Sequence, residues 1–239
     1  MNAENIRIAL ERNGIPQAPG LAEKLHTYLT LLTDWNTRMD LTAVTDEEET
    51  VDRHFIDSLA VLKSTMIPPR ARAIDVGTGA GFPGMVLAMA CPELKVTLLD
   101  AQQKRLTFLE EVAKATGTAN VTIIHVRAEE GARRPELREQ FDIAMARALA
   151  PLNVLAEYLL PYVKPEGYAL CWKGPAVTEE LDAGRRAAHV LGGSLEMPVR
   201  FPVAGRDWEH MILPIRKAGH TPKAYPRRAG APKAKPLGT

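Results

Sequence analysis

The sequence predicts an α/β fold: a mostly parallel sheet with helices on both faces, an antiparallel hairpin at one edge, and a helical extension before it. Three observations carry this expectation. Up to residue 68 the apolar residues recur at helical spacing, after Pro69 short β-branched runs alternate with helical segments, and a glycine-dense loop stands where the first run meets the first helix.

The elements follow in order. Asn13 and Gly14 close a first short helix, since a glycine just past the last turn is a common stop. Leu21, Leu25, Tyr28, Leu29, Leu32 and Trp35 then fall on one face of a longer helix. Thr45 with Glu48 reads as a capping box, and Phe55, Leu59 and Leu62 mark a third helix that Pro68 and Pro69 end. Strands are expected at 72–76, 95–99, 121–126, 141–146 and 168–172, with helices around 84–90, 102–116 and 152–163 between them. Two further runs, 194–201 and 208–215, have only a short turn around Gly205 between them and read as the antiparallel hairpin. The expected organisation is a helical extension over 1–68, a sheet domain over 69–215 and a tail over 216–239.

Composition narrows the function. With 239 residues, 46% hydrophobic and 25% charged, the chain is an ordinary globular protein and wholesale disorder is excluded. The net charge of +1 conceals an asymmetry: residues 216–239 hold seven Lys/Arg and no acid, so the first 215 residues are net −6. A one-sign block at the end of a chain is suited to a polyanion. The tail also holds Pro222, Pro226, Pro232 and Pro236 and few large apolar residues, so it is expected to extend over the surface or to order on a partner. Cys91 and Cys171 stand eighty residues apart without a CxxC pair, which argues against a disulfide framework or a metal site. Charged residues Glu4 and Arg7 stand where a signal peptide needs an apolar run, and no stretch of eighteen apolar residues occurs. The expectation is a cytoplasmic protein with no membrane association, monomeric by default.

The chemistry is concentrated in Asp75, Gly77, Gly79, Gly81 and Gly84. Glycines here let the backbone turn sharply and approach a ligand, while the helix start offers unpaired N–H groups. Gly79, Gly81 and Gly84 alone also satisfy a dinucleotide fingerprint, which leaves a nicotinamide- or flavin-dependent oxidoreductase as a remote alternative. The acid two places before Gly77 instead resembles the first motif of S-adenosylmethionine-dependent methyltransferases. That cofactor carries an ammonium and a sulfonium and no phosphate, so an acid beside the loop is an asset. Asp100, 23 residues beyond Gly77, suits the ribose hydroxyls of an adenosine, and alternatively an N-cap. Ala128 and Glu129 follow the third strand, at the adenine rim.

Longer stretches are similar to the RsmG (GidB) family of bacterial 16S rRNA guanine-N(7) methyltransferases. They are Trp35-Asn36, Leu41-Thr42, Arg53 through Leu59, Asp75 through Gly84, Ala128-Glu129, Arg147-Ala148, and the tail from Tyr225 through Pro232 with Lys235-Pro236-Leu237. The resemblance implies a Rossmann-like class I methyltransferase fold and transfer of a methyl from S-adenosylmethionine to nitrogen 7 of a guanine, position 527 in the 530 loop of 16S rRNA. It places cofactor contacts on Gly77, Phe82, Ala128, Glu129 and Arg147, beside Asp75, Gly79 and Asp100. The family usually has Lys where this chain has Arg228, which keeps the charge.

Nitrogen 7 has a lone pair and no proton to lose, so no general base is required. Arg53, His54 and Asp57, together on one helix, are candidates for the guanine pocket, with a solvated helix face as the alternative. Arg227, Arg228, Lys223, Lys233, Lys235 and Lys173 are the candidate RNA contacts on the small-subunit substrate. The competing readings are a methyltransferase acting on another RNA, a small molecule or a protein, and an RNA-binding module with a vestigial cofactor loop.

Overall fold

The computed structural model describes residues 1–239 apart from the side chains of Pro175 and Ala176. Eight strands form one sheet: β1 (Arg72–Val76), β2 (Lys95–Asp100), β3 (Val121–His125), β4 (Phe141–Arg147), β5 (Val163–Lys173), β6 (Gly193–Leu195), β7 (Val199–Pro202) and β8 (Glu209–Lys217). Their order is β3-β2-β1-β4-β5-β8-β6, with β7 also paired to β8. The first five are parallel; β8 runs antiparallel to β5, β6 and β7. The order reverses at β1, between β2 and β4. That crevice, at the carboxyl ends of the strands, is where open α/β sheets hold ligands.

The ten α-helices are α1 (Ala3–Arg12), α2 (Leu21–Asn36), α3 (Glu47–Thr50), α4 (Asp57–Leu59), α5 (Gly84–Ala90), α6 (Gln103–Thr116), α7 (Ala128–Gly131), α8 (Leu152–Leu159), α9 (Leu181–Val190) and α10 (Ala231–Ala234). Those of the N-terminal extension share a core with the sheet face that α5 and α6 cover; Leu25, Tyr28, Phe55 and Phe108 are all wholly buried in it. The other face carries α8 and α9 over Ala144, Leu155, Ala187 and Leu213. No described helix is long and apolar enough to cross a membrane.

Several expectations need correction. The third helix is not regular: a π-helical turn, Val51–Ile56, separates α3 from α4, and a 3₁₀ turn, Ala60–Lys63, follows. Such wide turns favour functional positions, and this one turns Asp52, His54 and Asp57 inward, where all three are buried. The cap of α3 is Asp46, whose carboxylate accepts from the N–H of Glu49, in place of Thr45. Pro198 and its neighbours split the expected strand at 194–201 into β6 and β7. The basic tail does not extend over the surface: it folds back, with Thr221, Pro226 and Pro232 buried. Arg138 donates to the carbonyls of Thr221 and Tyr225, both at 2.8 Å, and Asn153 to that of Leu237 at 2.8 Å.

The extension holds the glycine loop from behind. The Tyr28 hydroxyl donates to the Ala80 carbonyl, and its ring stacks on Phe82 at 5.4 Å. Gly81 has a φ of +97°, and a Cβ there would collide with that hydroxyl and crowd Leu109, so any side chain is strained at this position. Tyr28→Phe removes the bond and leaves the buried carbonyl of Ala80 without that donor. We expect a loss of about 1–2 kcal/mol in urea-induced unfolding, against about 3–5 kcal/mol for Tyr28→Ala, which also opens a cavity.

Candidate active site at the carboxyl edge of the sheet

Two acids shape the loop between β1 and α5. Asp75, fully buried, accepts through Oδ2 from the Thr78 hydroxyl (2.6 Å) and the Gly84 N–H (2.8 Å); its Oδ1 has no hydrogen-bond partner among the described residues. Burial pushes its carboxyl up to about 6, against the opposing pull of those two donors. Asp75 therefore lies beneath the loop and fixes its shape. Asp100, at the end of β2, accepts from the Gly79 N–H at 3.0 Å and the Gln102 N–H at 2.8 Å. It ties loop to helix start, and each oxygen keeps a second lone pair for a ligand hydroxyl.

A cavity of about 270 Å³ opens above Asp100, bounded by Gly77, Ala128, Glu129, Leu149 and Tyr158. A carboxylate for ribose hydroxyls, apolar walls for a flat base and a second carboxylate at the rim suit the adenosine of S-adenosylmethionine.

A second cavity, of about 350 Å³, is lined by Arg53, Asp57, Arg147, Trp172, Trp208 and His210. The chain passes from one cavity to the other at Ala148, whose φ of +52° lies in the left-handed region that side chains disfavour. Arg147 on one side lines the second cavity, and Leu149 on the other lines the first. Strain of this kind persists where the surroundings enforce a bend, and functional sites collect it.

Arg147 organises the second cavity. Its Nη1 donates to the Arg53 carbonyl (2.6 Å) and to Asp57 Oδ2 (2.9 Å), and its Nη2 donates to His54 Nδ1 (3.1 Å). Its guanidinium lies 5.0 Å from the centre of the Phe82 ring, and His54 stacks on that ring at 4.6 Å. Because Nδ1 accepts, the proton of neutral His54 is on Nε2, which donates to Thr42 Oγ1 at 2.8 Å. Burial first, and the Arg147 charge second, push His54 down to about 4, so it is neutral at pH 7. Burial alone raises Asp57, but the hydrogen bond from His210 and the charge of Arg147 outweigh it and hold the carboxyl below its usual range. Asp57 Oδ1 faces His210 Nδ1 at 2.9 Å, and His210 Nε2 faces the Asp52 carbonyl at 3.1 Å.

The structure thus brings Arg53, His54, Asp57, Phe82 and Arg147 together, and Gly77, Gly79, Asp100, Ala128 and Glu129 together, in adjoining places. Phe82 and Arg147 stand at the second group, although the family resemblance counts them among the cofactor contacts. Among the expected RNA contacts, Lys223, Arg228, Lys233 and Lys235 are exposed. Two others are engaged internally: Lys173 pairs with Glu180 at 2.7 Å, and Arg227 with wholly buried Glu157 at 2.6 Å. Trp208 and His210 were missed by sequence reasoning. Trp208 stands just before β8 and His210 within it, their rings meeting edge to face at 5.0 Å, but the apolar run around them reads only as an edge strand.

A reversed-order parallel sheet with an antiparallel edge, and an acid-flanked glycine loop at the switch point, define a Rossmann-like S-adenosylmethionine-dependent methyltransferase. Solved structures share the fold: the 16S rRNA (adenine(1408)-N(1))-methyltransferase of Catenulisporales acidiphilia with cosubstrate SAM superposes with a TM-score of 0.52 at 17% identity, covering 70% of this chain and 93% of that one. The fibrillarin pre-rRNA processing protein of Methanococcus jannaschii gives 0.52 at 14% identity, covering 69% and 77%. The chain belongs to the GidB family, rRNA small subunit methyltransferase G, whose model matches residues 21–206. Its curated relatives named "Ribosomal RNA small subunit methyltransferase G" include those of Alkaliphilus metalliredigens and Thermoanaerobacter pseudethanolicus. Each is 46% identical over 215 residues, 90% of both chains.

Neutral His54 implies an acid-sensitive site. A histidine whose folded pKa lies below its unfolded value contributes stability that is complete above about 6.5 and lost as pH falls towards 4. His54→Gln is expected to remove that dependence, so wild type should lose up to roughly 3 kcal/mol relative to the variant between pH 6.5 and 4 in denaturant titrations.

Proposed function

We propose that this methyltransferase transfers a methyl group to nitrogen 7 of a guanine in the 530 loop of bacterial 16S rRNA, acting as a monomer in the cytoplasm. One observation carries the reading: a carboxylate-floored cavity of adenosine size adjoins a cavity that offers guanidinium, carboxylate and indole groups to a planar base. The family membership and the rRNA named for the relatives support the substrate class.

Asp100 would hold the ribose; Ala128, Leu149 and Tyr158 would flank the adenine, with Glu129 at its rim. S-adenosylmethionine supplies, when bound, an electrophilic methyl group on its sulfonium. In the second cavity Trp208 offers a face for an unstacked base, Arg53 and Arg147 offer donors that fit guanine O6, and the Asp57 side fits guanine's ring and amino N–H donors. Both oxygens of Asp57 and both ring nitrogens of His54 are already engaged. They hold geometry and shuttle no proton, which is what attack by an unprotonated ring nitrogen requires. Alignment and exclusion of water are the catalytic means, worth several kcal/mol when reacting atoms are held about 3–3.5 Å apart.

Mapping of 7-methylguanosine in 16S rRNA from cells with and without this chain tests the reading. The modification should vanish from the 530 loop without it and return with the wild-type chain, but not with Arg147→Ala. Its persistence without the chain, or transfer to a small metabolite in place of rRNA, would sink the proposal. Phosphate contacts are expected from the exposed tail cations: Lys223, Arg228, Lys233 and Lys235 changed together to Gln should lessen the slope of log affinity against log salt by at most about 3, at roughly 0.7 per phosphate of single-stranded RNA.

A further inference from the structure

Two carboxylates beside the first cavity take their partners from the far end of the chain. Glu157, in α8 and wholly buried, accepts from the backbone N–H of Arg227 at 2.8 Å, from its Nε at 3.0 Å and from its Nη2 at 2.6 Å. Glu129, itself on the cavity wall, accepts from the Gly230 N–H at 2.8 Å. Gly230 and Lys233 line the same cavity, as does Tyr158, the neighbour of Glu157.

The segment is secured on both sides of these contacts. Before them, Arg133 donates to the Pro226 carbonyl at 2.6 Å, and wholly buried Lys217 donates to the Leu160 carbonyl and pairs with Glu139 at 3.2 Å. Beyond them, Arg186 donates to the Gly238 carbonyl at 2.8 Å. A buried carboxylate without its cation is far more costly than an exposed one, so Glu157 holds the tail docked beside the cavity that Glu129 and Gly230 line.

We propose that the C-terminal segment 225–235 is a wall of the cofactor pocket, anchored by Arg227 as a positioning residue, in addition to presenting cations to RNA. The inference rests on S-adenosylmethionine as the occupant of that cavity. It assigns the tail a share of cofactor affinity in the absence of any RNA.

The test is direct binding of S-adenosylhomocysteine to the full chain by calorimetry, without RNA. Arg227→Ala should weaken binding at least about tenfold, the size of one lost charge-assisted anchor, and Arg227→Lys should recover part of it. Arg216→Ala, at an exposed pair with Glu166 remote from the cavity, should bind as wild type does. In wild type, adding S-adenosylhomocysteine should slow hydrogen exchange of the amides at 228–235 and leave those of β7 unchanged. This second measurement needs no variant to fold. Wild-type affinity in Arg227→Ala, or exchange in the tail indifferent to bound S-adenosylhomocysteine, overturns the proposal. Failure of wild type to bind at all overturns the cofactor assignment as well, so the two failures are distinguishable.

Discussion

The ion pair of Arg147 with Asp57 joins the end of β4 to the start of α4 in the N-terminal extension, and the site is built around it. Neither partner is freely solvated, so each demands a full set of neighbours: the Arg53 carbonyl and His54 for the guanidinium, His210 for the carboxylate. These neighbours come from the extension and from β8, regions distant in sequence. The pair thereby fixes the position of the extension relative to the sheet. Tyr28, in the same extension, then supports the glycine loop from below.

The same demand recurs along the carboxyl edge of the sheet. Asp52 draws in Arg206, Asp75 draws in the Thr78 hydroxyl and the Gly84 N–H, Asp100 draws in Gly79, and Glu157 draws in Arg227. Acids are thus gathered along this edge, two of them held by the glycine loop and two by arginines from later in the chain. The charge asymmetry between body and tail takes on a finer meaning. Of the tail's seven cations, Arg227 and Lys217 face inward to neutralise acids of the body, while Lys223, Arg228, Lys233 and Lys235 face solvent.

What was legible in the sequence was local. The glycine loop, the stripe on α2 and the alternation of strands and helices follow from spacing within a few residues, and those elements stand where expected. α9 was not foreseen, because its buried face consists of Gly184, Ala187 and Ala188, too small to mark a stripe; a Cβ at Gly184 would meet Leu152 at 2.5 Å. The π-helical turn escaped because its period differs from the regular helix by one residue per turn. The fate of the tail escaped for a different reason: Arg227 and Glu157 are 70 residues apart, and nothing near either residue announces the other. A basic, proline-rich stretch looks unfolded until the buried acids that receive it are in view.

The inward turn of the tail also bears on the order in which the molecule is made. Synthesis proceeds from the N-terminus, and earlier segments begin to fold first. Glu129 and Glu157 are made long before Gly230 and Arg227 emerge, so the nascent protein carries two acids awaiting their donors until those residues follow. The pocket wall is therefore completed only after Arg227 and Gly230 have been made, which ties its maturation to a segment synthesised long after the acids that receive it.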